Sequence, residues 1–161
     1  MWVKIVYKWD RVVNIKNMLI GEYKHTLDDK KRISLPIKFR NKIGKKIVIT
    51  HGLDGCLFLY AQKEWETISE KLGSLGMGQA DTRGFNRFML AGASEVSVDS
   101  VGRILIPEHL RSFAKIKSKV VFAGVYNRLE IWDDTMWETY KSTVVKNADQ
   151  MAQKLGDIGA I

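Results

Sequence analysis

One short stretch of the sequence occurs twice, and a repeat of this kind limits the folds that the chain can adopt. Residues 26–36 read TLDDKKRISLP, and residues 97–107 read SVDSVGRILIP. The chain has two prolines, and the repeat places both of them in register. Four pairs match at one constant offset: Asp28 with Asp99, Arg32 with Arg103, Pro36 with Pro107, and Arg40 with Arg111. We therefore expect two homologous halves, residues 18–81 and residues 82–161.

Each half carries the same pattern of predicted elements. A strand leads into the Asp-x-x-x-Arg turn, a second strand leaves it, and the proline then suits the first turn of a short helix. An apolar hairpin and a helix with a tryptophan near its start complete each half. A half of about 65 residues is near the lower limit for an independent hydrophobic core. We therefore predict a mixed, mainly β fold with helices, in which two pseudo-symmetric halves intertwine.

The charge of the chain favours a polyanionic partner. The sequence holds 26 Lys and Arg against 18 Asp and Glu, which gives a net charge of +8. Residues 30–46, around and after the first turn, contain eight bases and no acid. Residues 100–119, around and after the second turn, contain five bases and one acid. Basic stretches at both copies of a repeated turn favour a two-fold footprint on nucleic acid over a merely solvated surface.

The Asp-x-x-x-Arg turn itself suits recognition of DNA. An aspartate in a turn accepts backbone N–H groups and fixes the shape of the loop. An arginine four residues later presents a guanidinium fork that matches phosphate oxygens or the O6 and N7 edge of guanine. The alternative is an internal ion pair that only stiffens the turn. We favour the interpretation in which Asp28 and Asp99 shape the loops while Arg32 and Arg103 contact DNA.

The composition argues against several other classes of protein. An apolar fraction of 45% with 27% charged residues is typical of a folded domain. The single cysteine, Cys56, excludes an internal disulfide and a cysteine zinc cluster. The three histidines are scattered, no P-loop motif is present, and no apolar run is long enough to span a bilayer. We therefore expect a cytoplasmic protein that is not an enzyme, with no metal, no cofactor and no membrane partner.

Residues 1–17, MWVKIVYKWDRVVNIKN, lie outside the repeat. Charges interrupt the apolar runs of this stretch, which is unlike a signal peptide. Met18 is a plausible alternative start, so one interpretation is an appended or mis-assigned leader. The other interpretation is a basic arm that touches phosphates.

The paired motif resembles that of a known family. LDDKKRISLP at residues 27–36 and VDSVGRILIP at residues 98–107 resemble the tandem motif of the MraZ family of bacterial transcriptional regulators. Three further stretches support the resemblance: LFLY and EW within residues 57–65, AGASE at residues 91–95, and LEIWD at residues 129–133. The resemblance runs from Met18 to about Gln153. Two such motifs in tandem make the resemblance specific to this family, whereas a single AbrB-like motif would not.

The resemblance implies both a fold and a function. The implied fold is an intertwined swapped-hairpin β-barrel of the AbrB-like superfamily with flanking helices. The implied function is sequence-specific binding of double-stranded DNA, at direct repeats in the promoter of the protein's own division and cell-wall gene cluster, with a repressing effect. The family also implies a ring-shaped homo-oligomer that associates with the nucleoid.

Site residues follow from the resemblance and from the basic stretches. Arg32 and Arg103 are the expected DNA contacts, and the residues expected to shape the loops are Asp28, Asp99 and Gly102. The further DNA-binding candidates are all basic: Lys30, Lys31, Lys38, Arg40 and Arg111. The family usually has glycine immediately before the first motif arginine, where this chain has Lys31. A turn that needs positive φ there would be strained, and the two loops need not present their arginines identically.

Two other functions remain open at this point. The AbrB-like fold also serves antitoxin-like modules that bind another protein, although such chains usually carry one motif. RNA-binding sheets display exposed aromatic residues. Here Trp65, Trp132 and Trp137 lie at helix starts and strand ends, where core packing is the better interpretation.

Overall fold

The series strand, strand, helix, strand, strand, helix occurs twice in the computed structural model, which describes residues 18–161. The first copy comprises β1 (Leu19–Thr26), β2 (Arg32–Ser34), α1 (Ile37–Ile43), β3 (Lys46–His51), β4 (Leu57–Ala61) and α2 (Gln62–Gly73). Helix α3 (Ala80–Asn86) and a π-helical turn (Arg87–Ala91) connect the two copies. The second copy comprises β5 (Ser94–Ser97), β6 (Arg103–Leu105), α4 (Glu108–Phe113), β7 (Lys119–Tyr126), β8 (Leu129–Asp133) and α5 (Asp134–Asp157). Both interpretations of residues 1–17 lie outside the described residues.

Six strands form one antiparallel sheet in which the two copies exchange strands. The order is β1-β7-β8-β4-β3-β5. The first strand of each copy therefore pairs with the third strand of the other copy, β1 with β7 and β5 with β3. Replacing every strand by its counterpart reverses the order, so a pseudo-two-fold axis passes between β4 and β8. The prediction of a mixed, mainly β fold is confirmed.

The remaining two strands, β2 and β6, pair with each other as an antiparallel ribbon. Among the described residues, the strand pairing yields an open six-stranded sheet and this separate ribbon, and it does not close on itself. The strand pairing of these residues does not show the expected swapped-hairpin β-barrel. The physical reason is that β2 and β6 are only three residues long and bond to each other, so they do not bridge the sheet edges.

The main sheet is buried on both faces because its side chains alternate between two apolar clusters. Leu57 and Leu59 of β4 join the cluster formed with the ribbon, α1 and α4. Phe58 and Tyr60 of the same strand join the cluster on the other face, against α2 and the start of α5. Trp132 of β8 is 2% exposed and lies in this second cluster. The ribbon is thus held by burial against one face of the sheet.

Each proline immediately precedes a short helix. Pro36 is the N-cap of α1 with φ −54° and ψ 130°, and Pro107 is the N-cap of α4 with φ −53° and ψ 143°. A proline suits a helix start because the first N–H groups have no intrahelical acceptor. The sequence placed both prolines in the first turn, and the structure places them one residue earlier.

Ion pairs hold the start of α5 against the edge strand β1. Lys24 Nζ lies 2.9 Å from Asp134 Oδ1 and 2.9 Å from Glu138 Oε1. Lys141 Nζ lies 2.8 Å from Glu22 Oε2. The C-terminal part of α5 extends beyond the core, and residues 148–161 are exposed throughout. Neither α5 nor any other helix within residues 18–161 combines the length and apolar character that crossing a membrane requires.

Adding one methyl group at Gly124 is expected to destabilise the exchanged strand pair. An added Cβ would lie 2.7 Å from the backbone nitrogen of Ile20, and backbone atoms in a sheet cannot move aside cheaply. We expect Gly124→Ala to lower the free energy of unfolding by roughly 1–3 kcal/mol in urea titrations. The matched control is Gly84→Ala in α3, where an added Cβ would meet nothing within 4 Å. Gly84→Ala should raise the free energy of unfolding by about 0.5–1 kcal/mol. If the two variants changed the free energy of unfolding equally, the close approach of β1 to β7 would be contradicted.

Candidate nucleic-acid interface

The first motif loop is organised by the carboxylate of Asp28. Its Oδ1 atom accepts the backbone N–H groups of Lys30 and Arg32, both at 2.9 Å. Its Oδ2 atom accepts the side-chain Nε–H of Arg32 at 2.8 Å. The backbone N–H of Asp28 donates in turn to the carbonyl oxygen of Arg32 at 2.8 Å. One side chain therefore fixes the loop and the direction of the arginine together.

The second motif loop repeats this geometry. Asp99 Oδ1 accepts the backbone N–H groups of Val101 at 3.0 Å and Arg103 at 2.8 Å. Asp99 Oδ2 accepts Nε–H of Arg103 at 2.7 Å. The ion pair of the alternative interpretation thus forms in both loops, but it engages only the Nε–H, one of five donors on each guanidinium. The ion pair and a DNA contact through the terminal nitrogens are compatible.

Backbone hydrogen bonds keep both motif carboxylates ionised. The backbone N–H of Arg32 lowers the pKa of Asp28 below its usual value, and the Arg32 side chain adds to the effect. The backbone N–H of Arg103 lowers the pKa of Asp99 in the same way. Both carboxylates therefore stay ionised to a lower pH than an ordinary aspartate.

The residue before each motif arginine adopts a left-handed conformation. Lys31 has φ 62° and Gly102 has φ 83°. The turn thus requires positive φ at this position in both loops, and Lys31 meets the requirement with a side chain that disfavours it. The hydrogen bonds of the two turns correspond. The loops differ in the backbone strain at Lys31 and in the side chain that Gly102 lacks.

Gly102 also makes room for an arginine from the first copy. Arg40 of α1 donates Nε–H to the carbonyl oxygen of Leu35 at 2.9 Å. A Cβ added at Gly102 would fall on the Arg40 guanidinium. The backbone N–H of Leu35 donates to the carbonyl oxygen of Gly102 at 2.9 Å. The second loop is therefore packed against residues of the first copy.

The ribbon places both motif arginines on one face. In its antiparallel register Arg32 is opposite Leu105, Ile33 is opposite Ile104, and Ser34 is opposite Arg103. The two isoleucines are each 1% exposed and point into the core. Because strand side chains alternate, the opposite face carries the other four residues. We call this the outer face of the ribbon: Arg32, Ser34, Arg103 and Leu105.

The other predicted DNA-binding residues surround this ribbon unevenly. Lys30 and Lys31 are exposed in the first loop, and Lys38 is exposed on α1. Arg40 and Arg111 are partly buried at matching positions of α1 and α4. Sequence reasoning did not include Ser34 and Leu105. Their two-residue spacing from the motif arginines was the signal that would have placed them on the same strand face.

The cysteine and the histidines, the residue types that most often serve in catalysis, are packed against other parts of the protein. Cys56 is 1% exposed, and burial raises the pKa of its thiol, which disfavours a reactive thiolate. His51 Nδ1 lies 2.9 Å from the carbonyl oxygen of Phe88. His25 packs against Phe122, and burial lowers the pKa of its imidazole. Within residues 18–161, no group of three His, Cys, Asp or Glu side chains is placed to hold a metal ion.

Comparison with known proteins matches both copies to one family. Two successive matches to the model of the family described as "MraZ protein, putative antitoxin-like" cover residues 18–88 and residues 89–157. The chain belongs to the MraZ family. The resemblance of the paired motif is thereby confirmed.

Relatives of this MraZ-family chain are similar over nearly their whole length. The transcriptional regulator MraZ of Caldanaerobacter subterraneus subsp. tengcongensis is 49% identical over 138 residues, which cover 86% of this chain and 96% of the relative. The transcriptional regulator MraZ of Thermoanaerobacter sp. (strain X514) is 47% identical over 141 residues, which cover 88% of this chain and 99% of the relative. These relatives are named as regulators of transcription and not as enzymes.

Exchanging the residues at the two left-handed positions is expected to have opposite effects. Lys31→Gly relieves the positive φ and should raise the free energy of unfolding by about 0.5–1 kcal/mol. Gly102→Lys should lower it by roughly 2–3 kcal/mol, because it strains the turn and displaces Arg40 from the Leu35 carbonyl. Urea unfolding measures both. A Gly102→Lys variant as stable as the wild type would contradict the packing of Arg40 on this loop.

The motif carboxylates are expected to contribute to acid sensitivity. Their folded-state pKa lies below the unfolded value of about 4, so their contribution is complete above that pH and is lost as pH falls through the lower, folded-state pKa. We expect wild-type stability, measured by urea unfolding, to fall as the pH drops from about 4 through this lower folded-state pKa. The double variant Asp28→Asn with Asp99→Asn should be less stable at neutral pH and should lose less on acidification. An unchanged pH profile would contradict the assignment.

Proposed function

We propose that this chain is a sequence-specific DNA-binding regulator of transcription that docks its β2–β6 ribbon on double-stranded DNA. The observation that carries the proposal is the pair of aspartate-held arginines on the outer face of one ribbon. The names of the relatives support the general role, since both are transcriptional regulators. Binding at direct repeats in the promoter of its own division and cell-wall gene cluster, with a repressing effect, completes the proposal.

The shape of the ribbon suits the major groove. That groove admits a two-stranded β-ribbon, and guanine offers there the O6 and N7 acceptors that an arginine fork matches. Arg32 and Arg103 would supply the base contacts through their terminal nitrogens. Asp28, Asp99 and Gly102 would hold the loops that aim them.

The remaining basic residues would supply sequence-independent attraction. Lys30, Lys31 and Lys38 are exposed and can reach phosphates, and Arg40 and Arg111 add positive charge at the helices behind the ribbon. A net charge of +8 favours approach to DNA from any direction. Contacts of this kind position the protein but carry no sequence information.

A single ribbon covers only a short stretch of DNA. The protein would therefore assemble with further copies of itself to bind a longer site. A ring-shaped homo-oligomer would present several ribbons to successive direct repeats, and each further contact would then act at high effective concentration. Affinity for promoter DNA would come from the sum of weak contacts. Such a protein would be cytoplasmic and associated with the nucleoid.

A second candidate function is an antitoxin-like module that binds another protein. One observation favours it: apolar side chains are exposed in the C-terminal part of α5 and just after it, where Met151 is 43%, Leu155 42% and Ile158 77% exposed. The description of the family also contains the words antitoxin-like. Under this alternative the basic loops would be solvated surface, and promoter DNA would not be preferred over a scrambled duplex.

Loss of a base contact is expected to weaken binding to one DNA sequence more than to another, whereas loss of a phosphate contact should weaken binding to both equally. Fluorescence anisotropy at physiological salt would compare the chain's own upstream DNA with a scrambled duplex. Arg103→Ala should weaken binding to the upstream duplex by about 1–3 kcal/mol and leave scrambled DNA less affected. Lys38→Ala should weaken both duplexes equally and reduce the salt dependence by about one counterion. Lys63→Ala in α2 serves as the charge-matched control.

Equal losses on both duplexes for Arg103→Ala would refute the base contact. A folded wild-type protein that shows no preference for the upstream duplex would refute the proposed function and favour the protein-binding module.

A further inference from the structure

The outer face of the ribbon is asymmetric, although the two motif loops share the same hydrogen-bond geometry. The pseudo-two-fold axis passes through the Ile33–Ile104 pair and relates Arg32 to Arg103. The same operation relates Ser34 to Leu105, so a hydroxyl corresponds to a bulky apolar side chain. The two ends of the ribbon therefore offer different chemistry to anything that contacts this face.

Leu105 is the apolar member of this face and stands beside an arginine. Its side chain is 53% exposed, whereas Ile104 next to it is 1% exposed. The register sets Leu105 directly opposite Arg32 and sets Ser34 directly opposite Arg103. Directly opposite residues of antiparallel strands have their Cβ atoms about 5 Å apart. One arginine thus has an apolar neighbour and the other has a hydroxyl.

The loops increase the difference between the two ends. Lys30 and Val101 donate equivalent backbone N–H groups to their aspartates, so their side chains leave the same position of the turn. Val101 is 55% exposed, and Lys30 is also exposed. Lys31 corresponds to Gly102 at the next position. The end that carries Arg32 therefore holds two lysines where the other end has none.

We propose that the ribbon reads DNA with a fixed polarity, in which Leu105 contacts the 5-methyl group of a thymine next to the base that Arg32 reads. This assignment rests on the proposed DNA-binding function. The thymine methyl is the apolar mark of the major groove, and an aliphatic side chain can contact it. Ser34 offers a hydroxyl at the other end and makes no such contact.

Polarity has a consequence for the arrangement of binding sites. A symmetric ribbon would read an inverted repeat, because its two ends would select the same bases on opposite strands. Unequal ends distinguish the two orientations of the protein on the duplex. This ribbon therefore suits sites that repeat in one direction.

Replacing thymine by deoxyuridine tests the methyl contact, because it removes only the 5-methyl group. The probe is the chain's own upstream duplex with each thymine replaced in turn, and binding of the full-length protein is measured by fluorescence anisotropy. We expect one or more replacements to weaken wild-type binding about fourfold, the scale of one buried methyl group. Leu105→Ser should abolish this sensitivity and bind the methylated and demethylated duplexes equally.

Two further variants separate the contact from indirect effects. Leu105→Met keeps an apolar side chain and should retain the wild-type pattern of sensitive thymines. Val145→Ser removes a 67% exposed apolar residue from α5 and should also retain it. Unchanged thermal unfolding of Leu105→Ser excludes a folding defect at this exposed position.

Two results would overturn the assignment alone. In one, no thymine is sensitive in the wild type although the upstream duplex is preferred. In the other, Leu105→Ser keeps the wild-type pattern. A wild-type protein without preference for the upstream duplex would overturn the proposed function, and this assignment with it.

Discussion

The hydrogen bonds accepted by Asp28 and Asp99 hold the rest of the candidate site in place. Each carboxylate binds two backbone N–H groups through one oxygen and an arginine Nε–H through the other, so loop shape and guanidinium direction are set together. The strand that follows begins at the arginine, and the ribbon therefore starts with both arginines on its outer face. An arginine fixed in advance loses less conformational entropy when it binds, which favours affinity as well as geometry.

These aspartate–arginine pairs act on geometry more than on stability. The four side chains are between 32% and 35% exposed, and ion pairs at that exposure contribute little to the free energy of unfolding. The stability of the ribbon comes instead from its other face, where Ile33 and Ile104 are buried against the sheet. The ribbon thus separates two tasks by strand alternation, with apolar burial on one side and charged recognition on the other.

Local patterns predicted the geometry of the two motif turns better than they predicted the strand pairing around them. The Asp-x-x-x-Arg spacing indicated the turn, and the missing glycine at Lys31 indicated a strained position, which its φ of 62° confirms. The exchange of β1 and β5 between copies was predicted only as intertwining, because two similar halves offer each strand two similar partners. The swapped-hairpin β-barrel, which came from resemblance and not from strand lengths, is not seen in the strand pairing of the described residues. Leu105 was missed because an apolar residue in an alternating strand is ordinarily interpreted as core.

Joining the two strand-exchanged halves in one chain also allows their sequences to differ at equivalent positions. Neither half completes its own sheet, since the first strand of each pairs in the other, so the chain amounts to two subunits joined by a tether. In a dimer of separate, identical subunits every substitution would appear twice, and the recognition face would stay symmetric. The tether removes that restriction: Ser34 and Leu105 occupy equivalent places yet differ. A duplicated sequence on one chain can keep its shared architecture while its two recognition ends diverge.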